Sequence, residues 1–333
     1  MNTLILVLLL NLNLNSAEKL VKTNSGKIRG LLVPINSRSN IEQYIGIPYA
    51  EPPIGNLRFA RPLLKRPWAP EILNAVHYGP ACPQLLWFLR SYSFQDSFNN
   101  TSEDCLYLNN DHTSKRFPVM IWVHGGAYRY GSGSEYDGRL LASQGIIVVT
   151  INYRLGVLGF LSTDDSASPG NYGLLDQKLA FEWVKNNIGA FGGNPYEVTI
   201  AGQSAGGGSL FRAVIPQSGC ALSPWAIYRL PYTARDATLQ LAKKLNCSSD
   251  SSKSIVHCLR SKPAEMLVKT TVICYLILFS KAPPMISAWA PRVDGYFLTD
   301  LPEHLLDKGN YMTNVSVMTG TVPNESSDEI DTE

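Results

Sequence analysis

The chain has 333 residues, of which 45% are hydrophobic and 17% are charged, a composition typical of a globular protein with a large core. Its formal net charge is +2 and its lysines and arginines form no cluster, which argues against nucleic acid or an anionic membrane surface as a partner. No repeat, low-complexity tract or linker interrupts the chain, so we expect one domain over residues 18–333. The sequence carries no signal for a particular oligomeric state.

The chain begins with an apolar segment. Residues Leu4 to Leu10 are continuously apolar, and the small residues Ser16 and Ala17 follow. This pattern predicts a signal peptide over residues 1–17 and a secreted protein, with a buried N-terminal strand as the alternative. The only other long apolar run, Thr271 to Phe279, is shorter than the roughly 20 residues that span a bilayer, so no transmembrane segment is predicted.

Strands and a helix follow in an alternating pattern. Residues 20–60 are rich in turns and are expected to pair as small N-terminal strands. Short apolar runs predict buried strands over 119–123, 146–152 and 198–201. Residues 174–188 carry apolar side chains at helical spacing, which predicts a helix before the third of these strands. The alternation favours an α/β fold with a mostly parallel central sheet and helices on both faces.

The strand over 198–201 leads into the run Gly-Gln-Ser-Ala-Gly. Ser204 stands between Gly202 and Gly206 at the predicted turn from strand to helix. Glycines at these places let neighbouring backbone approach, so the serine hydroxyl can be exposed on a strained turn. Active sites of such sheets lie at the carboxyl ends of the strands. Ser204 is therefore the candidate nucleophile, although the pentapeptide alone is also compatible with a flexible turn.

The turn after the strand over 119–123 supplies candidate hydrogen-bond donors. Attack by a serine on an ester carbonyl creates an oxyanion, which preorganised backbone N–H groups stabilise. Gly126 and Ala127 follow His124 and Gly125 at this strand end, and Ala205 directly follows the nucleophile. The N–H groups of Gly126, Ala127 and Ala205 are the candidate oxyanion hole, with a plain strand-end turn as the alternative for the first two.

Several segments resemble the type-B carboxylesterase and cholinesterase family, in family order from about residue 20 to the end. The two longest are Phe191 to Gly206 and Ser102 to Asn109. Shorter ones are residues 46–53, 122–128, 152–156, 170–177 and 217–219. The resemblance implies an α/β-hydrolase fold and hydrolysis of a small-molecule carboxylic ester through an acyl-serine, with no metal and no cofactor.

The resemblance also implies roles for individual residues. Glu325 falls where the family has its triad glutamate, after a predicted strand over 315–320, and Asp328 and Glu329 are neighbouring alternatives. Trp225 resembles a wall residue of the acyl pocket, and core packing is an equally weighted alternative.

The resemblance further implies disulfides that join Cys82 to Cys105 and Cys247 to Cys258. Cys220 and Cys274 are left over, as buried thiols or as an additional pair. Two buried ion pairs, Arg58 with Glu103 and Arg154 with Asp176, are expected to hold loops to the sheet. Glycosylation sequons suit an extracellular glycoprotein and begin at Asn99, Asn100, Asn246, Asn314 and Asn324.

The chain departs from the family in three places. In the family order of serine, acid and histidine, the histidine follows the acid. The histidines of this chain all precede Glu325; they are His77, His112, His124, His257 and His304. The C-terminal part with the triad histidine is therefore expected to be missing and catalysis to be impaired. Roughly a dozen family residues have no counterpart between Ser209 and Leu210. In the family, the turn that carries the nucleophile, called the elbow, normally leads into a full helix there. Residues 94–96 lack the tryptophan with which cholinesterases hold a quaternary ammonium, which favours a general carboxylesterase. The alternative is a non-catalytic, cholinesterase-like binding or adhesion protein.

Overall fold

The structure is a computed structural model that describes residues 18–37, 39–85, 100–113, 117–209, 215–228, 234–248, 250–279, 289–310 and 315–322, with only the backbone over 272–279. The predicted signal peptide and residues 94–96 lie outside the described residues.

Strands of the described residues form one sheet in the order β1-β2-β3-β5-β7-β6-β8-β9, and β4 pairs with β2. The strands are β1 Glu18–Thr23, β2 Gly26–Asn36, β3 Ser39–Pro48, β4 Ile72–Asn74, β5 Tyr107–His112, β6 Phe117–Val123, β7 Ile147–Ile151, β8 Gly193–Gln203 and β9 Ile215–Gln217.

The sheet is mixed, which corrects the expectation of a mostly parallel one. β1, β2, β3, β5 and β7 pair antiparallel in succession, whereas β7, β6, β8 and β9 run parallel. The N-terminal strands cause the difference, because they join the main sheet through β3 and β5 rather than forming a small sheet of their own. The α/β class itself is confirmed, and the parallel half carries the strand that ends at Ser204.

Helices of the described residues occupy the connections between these strands and the C-terminal third of the chain. They are α1 Arg139–Ala142, α2 Gly156–Phe160, α3 Tyr172–Asn187, α4 Ala205–Gly208, α5 Ala234–Lys244, α6 Ser252–Ser261, α7 Ala264–Phe279 and α8 Pro302–Asp307. The helix predicted over 174–188 is α3, and its side chains join the main core.

The alternation of side chains along the strands separates two cores. On one face, Val119 and Ile121 of β6 pack in the main cluster with Trp183 of α3. On the other face, Val148 of β7 packs in a small cluster with Ala142 of α1. Helices therefore contact both faces, as predicted.

Both predicted disulfides are formed. Cys82 and Cys105 are bonded with Cα atoms 5.0 Å apart, and Cys247 and Cys258 with Cα atoms 5.7 Å apart. Cys220 is an exposed free thiol, so its expected burial is wrong. The side chain of Cys274 lies outside the described residues.

Both predicted ion pairs are formed; the pair of Arg154 with Asp176 is buried, and the pair of Arg58 with Glu103 is partly buried. Arg154 binds the two carboxylate oxygens of Asp176 at 2.8 Å each, and the side chains are 3% and 0% exposed. Arg58 donates from Nε to Glu103 at 2.7 Å and from Nη1 to the carbonyl of Arg260 at 2.8 Å. Arg58 thereby binds the Glu103 loop to the C-terminal end of α6.

Candidate active site

Ser204 occupies a strained turn between β8 and α4. Its backbone has φ 51° and ψ −119°, outside the regions that side chains with a β-carbon normally adopt. Both flanking glycines are required sterically. A β-carbon at Gly202 would lie 2.7 Å from the carbonyl carbon of Gly206, and one at Gly206 would collide with the backbone of Val123. The local sequence therefore permits this sharp turn only because its neighbours lack side chains.

Neighbouring strands bring the turn to the carboxyl edge of the parallel half of the sheet. Val123 of β6 pairs with Gly202, and Gln203 pairs with Gln217 of β9, so three strands end at the same level. The N–H of Ser204 donates to the carbonyl of Gln217 at 2.8 Å. These contacts fix the elbow on both sides.

A second turn lies against the elbow. Gly126, Ala127 and Tyr128 have φ values of 104°, 52° and 59°, so three successive residues are left-handed. A β-carbon at Gly125, which opens this turn, would lie 3.3 Å from Cβ of Ser204. The structure thus brings the turn containing Gly126 and Ala127 into contact with the elbow.

Ala205 is the first residue of α4. The first N–H groups of a helix have no acceptor within the helix, so the Ala205 amide is available to an outside acceptor. The helix itself has only four residues before β9 begins at Ile215, and residues 210–214 between them lie outside the described residues. This agrees with the expectation of a shortened helix after the elbow.

Two residues that the sequence analysis did not assign to the site bind the ends of the glycine turn, residues 125–128, and the chain that follows it. Tyr153 donates from its hydroxyl to the carbonyl of His124 at 2.9 Å, and the two rings stack 4.5 Å apart. Gln84, which is 7% exposed, accepts from the N–H of Gly131 at 2.8 Å and donates to the carbonyl of Gly131 at 3.1 Å. The only signal for Gln84 in the sequence was a polar residue two places after Cys82 in the disulfide loop.

Asn152, at the end of β7, forms a similar bridge. Its amide nitrogen donates to the carbonyls of Pro80 and Cys105, both at 3.1 Å. Its amide oxygen accepts from the hydroxyl of Ser132 at 3.0 Å and from the N–H of Gly133 at 2.8 Å. Gln84 and Asn152 together attach the disulfide loop to the chain that follows the glycine turn.

None of the five histidines, all of them among the described residues, is bonded to the Ser204 hydroxyl. His124 is buried, and its Nδ1 donates to the carbonyl of Gly125 at 2.8 Å, which leaves Nε2 unprotonated. Burial lowers the pKa of His124 to about 4, so its ring is neutral near pH 7. His112 is buried beside Tyr44, and the others are exposed at positions 77, 257 and 304.

The segment that leads towards the predicted acid lies next to the elbow. Gly320 forms a parallel bridge to Gln217, and its carbonyl accepts from the N–H of Ser218 at 2.8 Å. The strand predicted over 315–320 is reduced to this single bridge. Glu325 and its alternatives Asp328 and Glu329 lie outside the described residues.

Trp225 packs over the turns around Ser204. Its ring is half-buried and would lie 3.1 Å from a β-carbon at Gly208 in α4 and 2.8 Å from one at Gly219. The same ring also contacts the hydrophobic core. Trp225 therefore lies beside the turns around Ser204 and packs against the core at once.

The arrangement suits acyl transfer in part. A serine held in a strained turn and backbone amides on two adjacent turns are the elements that bind an ester carbonyl and stabilise its oxyanion. A group that accepts the serine proton is the remaining requirement, and none of the described residues forms a hydrogen bond with Ser204 Oγ.

Sequence comparisons relate the chain to known proteins. It matches the carboxylesterase family over residues 17–332. It is 38% identical over 337 residues to an acetylcholinesterase of Bungarus fasciatus, an alignment that covers 94% of this chain and 54% of the relative. It is 40% identical over 313 residues to a cholinesterase of Mus musculus, covering 87% of this chain and 51% of the relative.

A third relative is neuroligin-3 of Mus musculus, 36% identical over 369 residues that cover 95% of this chain and 43% of the relative. The chain thus spans about half the length of the curated relatives it matches. Within the described residues, no helix is long and apolar enough to cross a membrane. The family model matches nearly the whole sequence, and the α/β fold with a strand that leads into Ser204 agrees with it. The chain belongs to the carboxylesterase family.

Proposed function

We propose that this protein is a carboxylic ester hydrolase that works through an acyl-serine at Ser204. The observation that carries the proposal is the backbone of Ser204, with φ 51° and ψ −119° between two sterically required glycines. Such strain persists only where surrounding structure enforces it, and here it directs a serine to the edge where parallel strands end.

In this proposal the N–H groups of Gly126, Ala127 and Ala205 bind the oxyanion. The three left-handed residues of the glycine turn and the free first turn of α4 support these roles. One such donor typically contributes ~3 kcal/mol to the transition state. Trp225 forms a wall beside the acyl group, and Glu325 is the acid of the triad.

We further propose that residues 1–333 alone turn over esters weakly. Without a histidine at Ser204 Oγ, the hydroxyl stays protonated and is a poor nucleophile. Removal of one triad member leaves a residual acceleration on the order of 10³–10⁴ over water, which comes from the oxyanion hole and binding.

A base supplied from solution tests both parts of the proposal. Residues 18–333 are assayed with a short-chain nitrophenyl ester at increasing imidazole concentrations, and Ser204→Ala is the matched control for direct hydrolysis by imidazole. We expect slow hydrolysis without imidazole and a Ser204-dependent increase with it. A mass increment of the acyl group on the peptide that contains Ser204 identifies the intermediate.

Two results contradict the proposal in different ways. Equal rates for the parent and Ser204→Ala at every imidazole concentration reject the ester hydrolase. Fast Ser204-dependent turnover without imidazole rejects the weak-turnover part and directs the search for a base to His304, whose Nδ1 lies 2.9 Å from Asp300 Oδ1.

The second candidate function is a non-catalytic binding protein. The observation in its favour is that no side chain of the described residues forms a hydrogen bond with the Ser204 hydroxyl, although the strained turn that holds Ser204 is formed. It predicts no Ser204-dependent hydrolysis under any condition, and retention of a protein partner by both the parent and Ser204→Ala.

We also propose that the protein is secreted. The predicted signal peptide over residues 1–17 supports this, and so do the two disulfides, since disulfides persist in oxidising compartments. Expression of residues 1–333 in a secreting cell should deliver the protein to the medium, with processing near Ala17. Retention of an unprocessed N-terminus inside the cell rejects this part.

A further inference from the structure

Asn246 ends helix α5 in a left-handed conformation. Its φ is 53°, its N–H donates to the carbonyl of Lys243 at 3.2 Å, and the N–H of Cys247 donates to the carbonyl of Ala242 at 2.8 Å. These two bonds form a Schellman motif with Asn246 at the position that glycine usually takes. Asparagine tolerates left-handed backbone better than most residues but less well than glycine.

The three residues of the sequon Asn246-Cys247-Ser248 differ in their surroundings. Asn246 and Ser248 are exposed, and the Asn246 side chain forms no hydrogen bond to any described residue. Cys247 lies between them, is 9% exposed, and is bonded to Cys258, 11 residues later. The residue that would carry a sugar is therefore exposed, while the middle residue is anchored in the core.

We propose that Asn246 is an N-glycosylation site and that its sugar is added before the disulfide between Cys247 and Cys258 closes. The proposal rests on the secretion proposed above. Glycine at this position would cap α5 with less strain, so the helix end alone does not require asparagine.

The reaction is the transfer of an oligosaccharide from a lipid diphosphate donor. Nδ2 of Asn246 attacks the first sugar carbon, the bond from that carbon to the diphosphate oxygen breaks, and the amide proton leaves to a base. The lipid diphosphate is the leaving group, and no oxidant or reductant is needed.

The folded backbone prevents this reaction. A transferase must hold the side chains of Asn246 and Ser248 together on an accessible segment, with the amide turned towards the donor. In the structure, the N–H of Cys247 is committed to Ala242, and the Ser248 hydroxyl binds Asp250. The disulfide adds a covalent constraint at the middle residue. The sugar must therefore arrive before the disulfide, and both remain compatible afterwards because Asn246 is exposed in the folded protein.

Competition between the two reactions is measurable as site occupancy. Residues 1–333 and the variant Cys258→Ser are expressed in secreting cells, and total cellular plus secreted protein is treated with a glycan-removing amidase in heavy-oxygen water. Mass spectrometry of the peptide containing Asn246 then gives the modified fraction. We expect partial occupancy in the parent and nearly full occupancy in Cys258→Ser, because the competing disulfide is absent.

Matched variants separate the outcomes. Cys105→Ser opens the other disulfide and should leave the occupancy of Asn246 unchanged, and Asn246→Gln should remove the signal. Equal occupancy in the parent and Cys258→Ser overturns the competition. An unmodified Asn246 in both, with sugar on Asn100, overturns the site while secretion stands. No sugar on any sequon overturns this inference together with secretion.

Discussion

Asp111 carries a buried carboxylate that forms no ion pair with a described residue, which makes it a test of the electrostatics of the sheet. It lies on β5, is 4% exposed, and accepts from Nε2 of Gln43 at 2.9 Å. The nearby guanidinium of Arg139 forms its ion pair with Asp137 instead. Burial raises the pKa of Asp111 to about 6, and the hydrogen bond from Gln43 only partly opposes that rise.

The raised pKa makes the fold less stable as pH rises. Below the unfolded-state pKa of 3.8 the carboxyl is protonated in both states. Between that value and about 6 the unfolded state ionises first, so the free energy of unfolding falls; above about 6 the loss is complete. A shift of about two pKa units corresponds to ~3 kcal/mol. Asp111→Asn mimics the protonated acid and should recover most of this free energy near neutral pH.

Urea unfolding at about pH 8 and about pH 3.5 measures the effect as a difference between the two proteins. We expect Asp111→Asn to be more stable by ~3 kcal/mol at the higher pH and equal to the parent at the lower one. Burial also lowers the pKa of His112, which destabilises the fold as pH falls, but both proteins share that contribution and it cancels. A difference independent of pH, or a less stable variant at the higher pH, would refute the reasoning.

Four other substitutions test the core, the glycine turn and the helix after Ser204. Asp176→Asn leaves its buried arginine partner uncompensated and should lower the free energy of unfolding by ~3–5 kcal/mol; unchanged unfolding and secretion would contradict this. Ala127→Gly removes a left-handed alanine and should raise that free energy by about 1 kcal/mol in urea unfolding, whereas Ala205→Gly in α4 should lower it. Gln84→Ala should speed hydrogen exchange over residues 124–131, and exchange equal to that of the parent would show that Gln84 does not hold the turn.

Elements whose pattern is local could be predicted from the sequence. The helix predicted over 174–188 is α3 at Tyr172–Asn187, and the strand predicted over 119–123 is β6 at Phe117–Val123. Both have a periodicity that one segment carries by itself. The order of the strands in the sheet could not be predicted in this way. The pairing of β3 with β5 joins residues such as Gln43 and Asp111, which lie far apart in the chain.

The elbow belongs to the predictable class for a steric reason. The strain at Ser204 requires small neighbours, so Gly202 and Gly206 mark the turn in the sequence itself. Ala127 shows the limit of that signal. It is as left-handed as a glycine would be, with φ 52°, yet an alanine does not mark the turn.

The supporting residues lack a sequence signal because their partners come from other segments. Gln84 and Asn152 are polar residues that become buried only when the disulfide loop meets the chain at Gly131 and Gly133. A buried polar group is stable only when its hydrogen bonds are complete. These amides and the disulfide loop therefore stabilise each other. The glycine turn therefore depends on contacts between segments that are distant in the sequence, and the position of its N–H groups is a property of the whole sheet edge rather than of the run from His124 to Ala127.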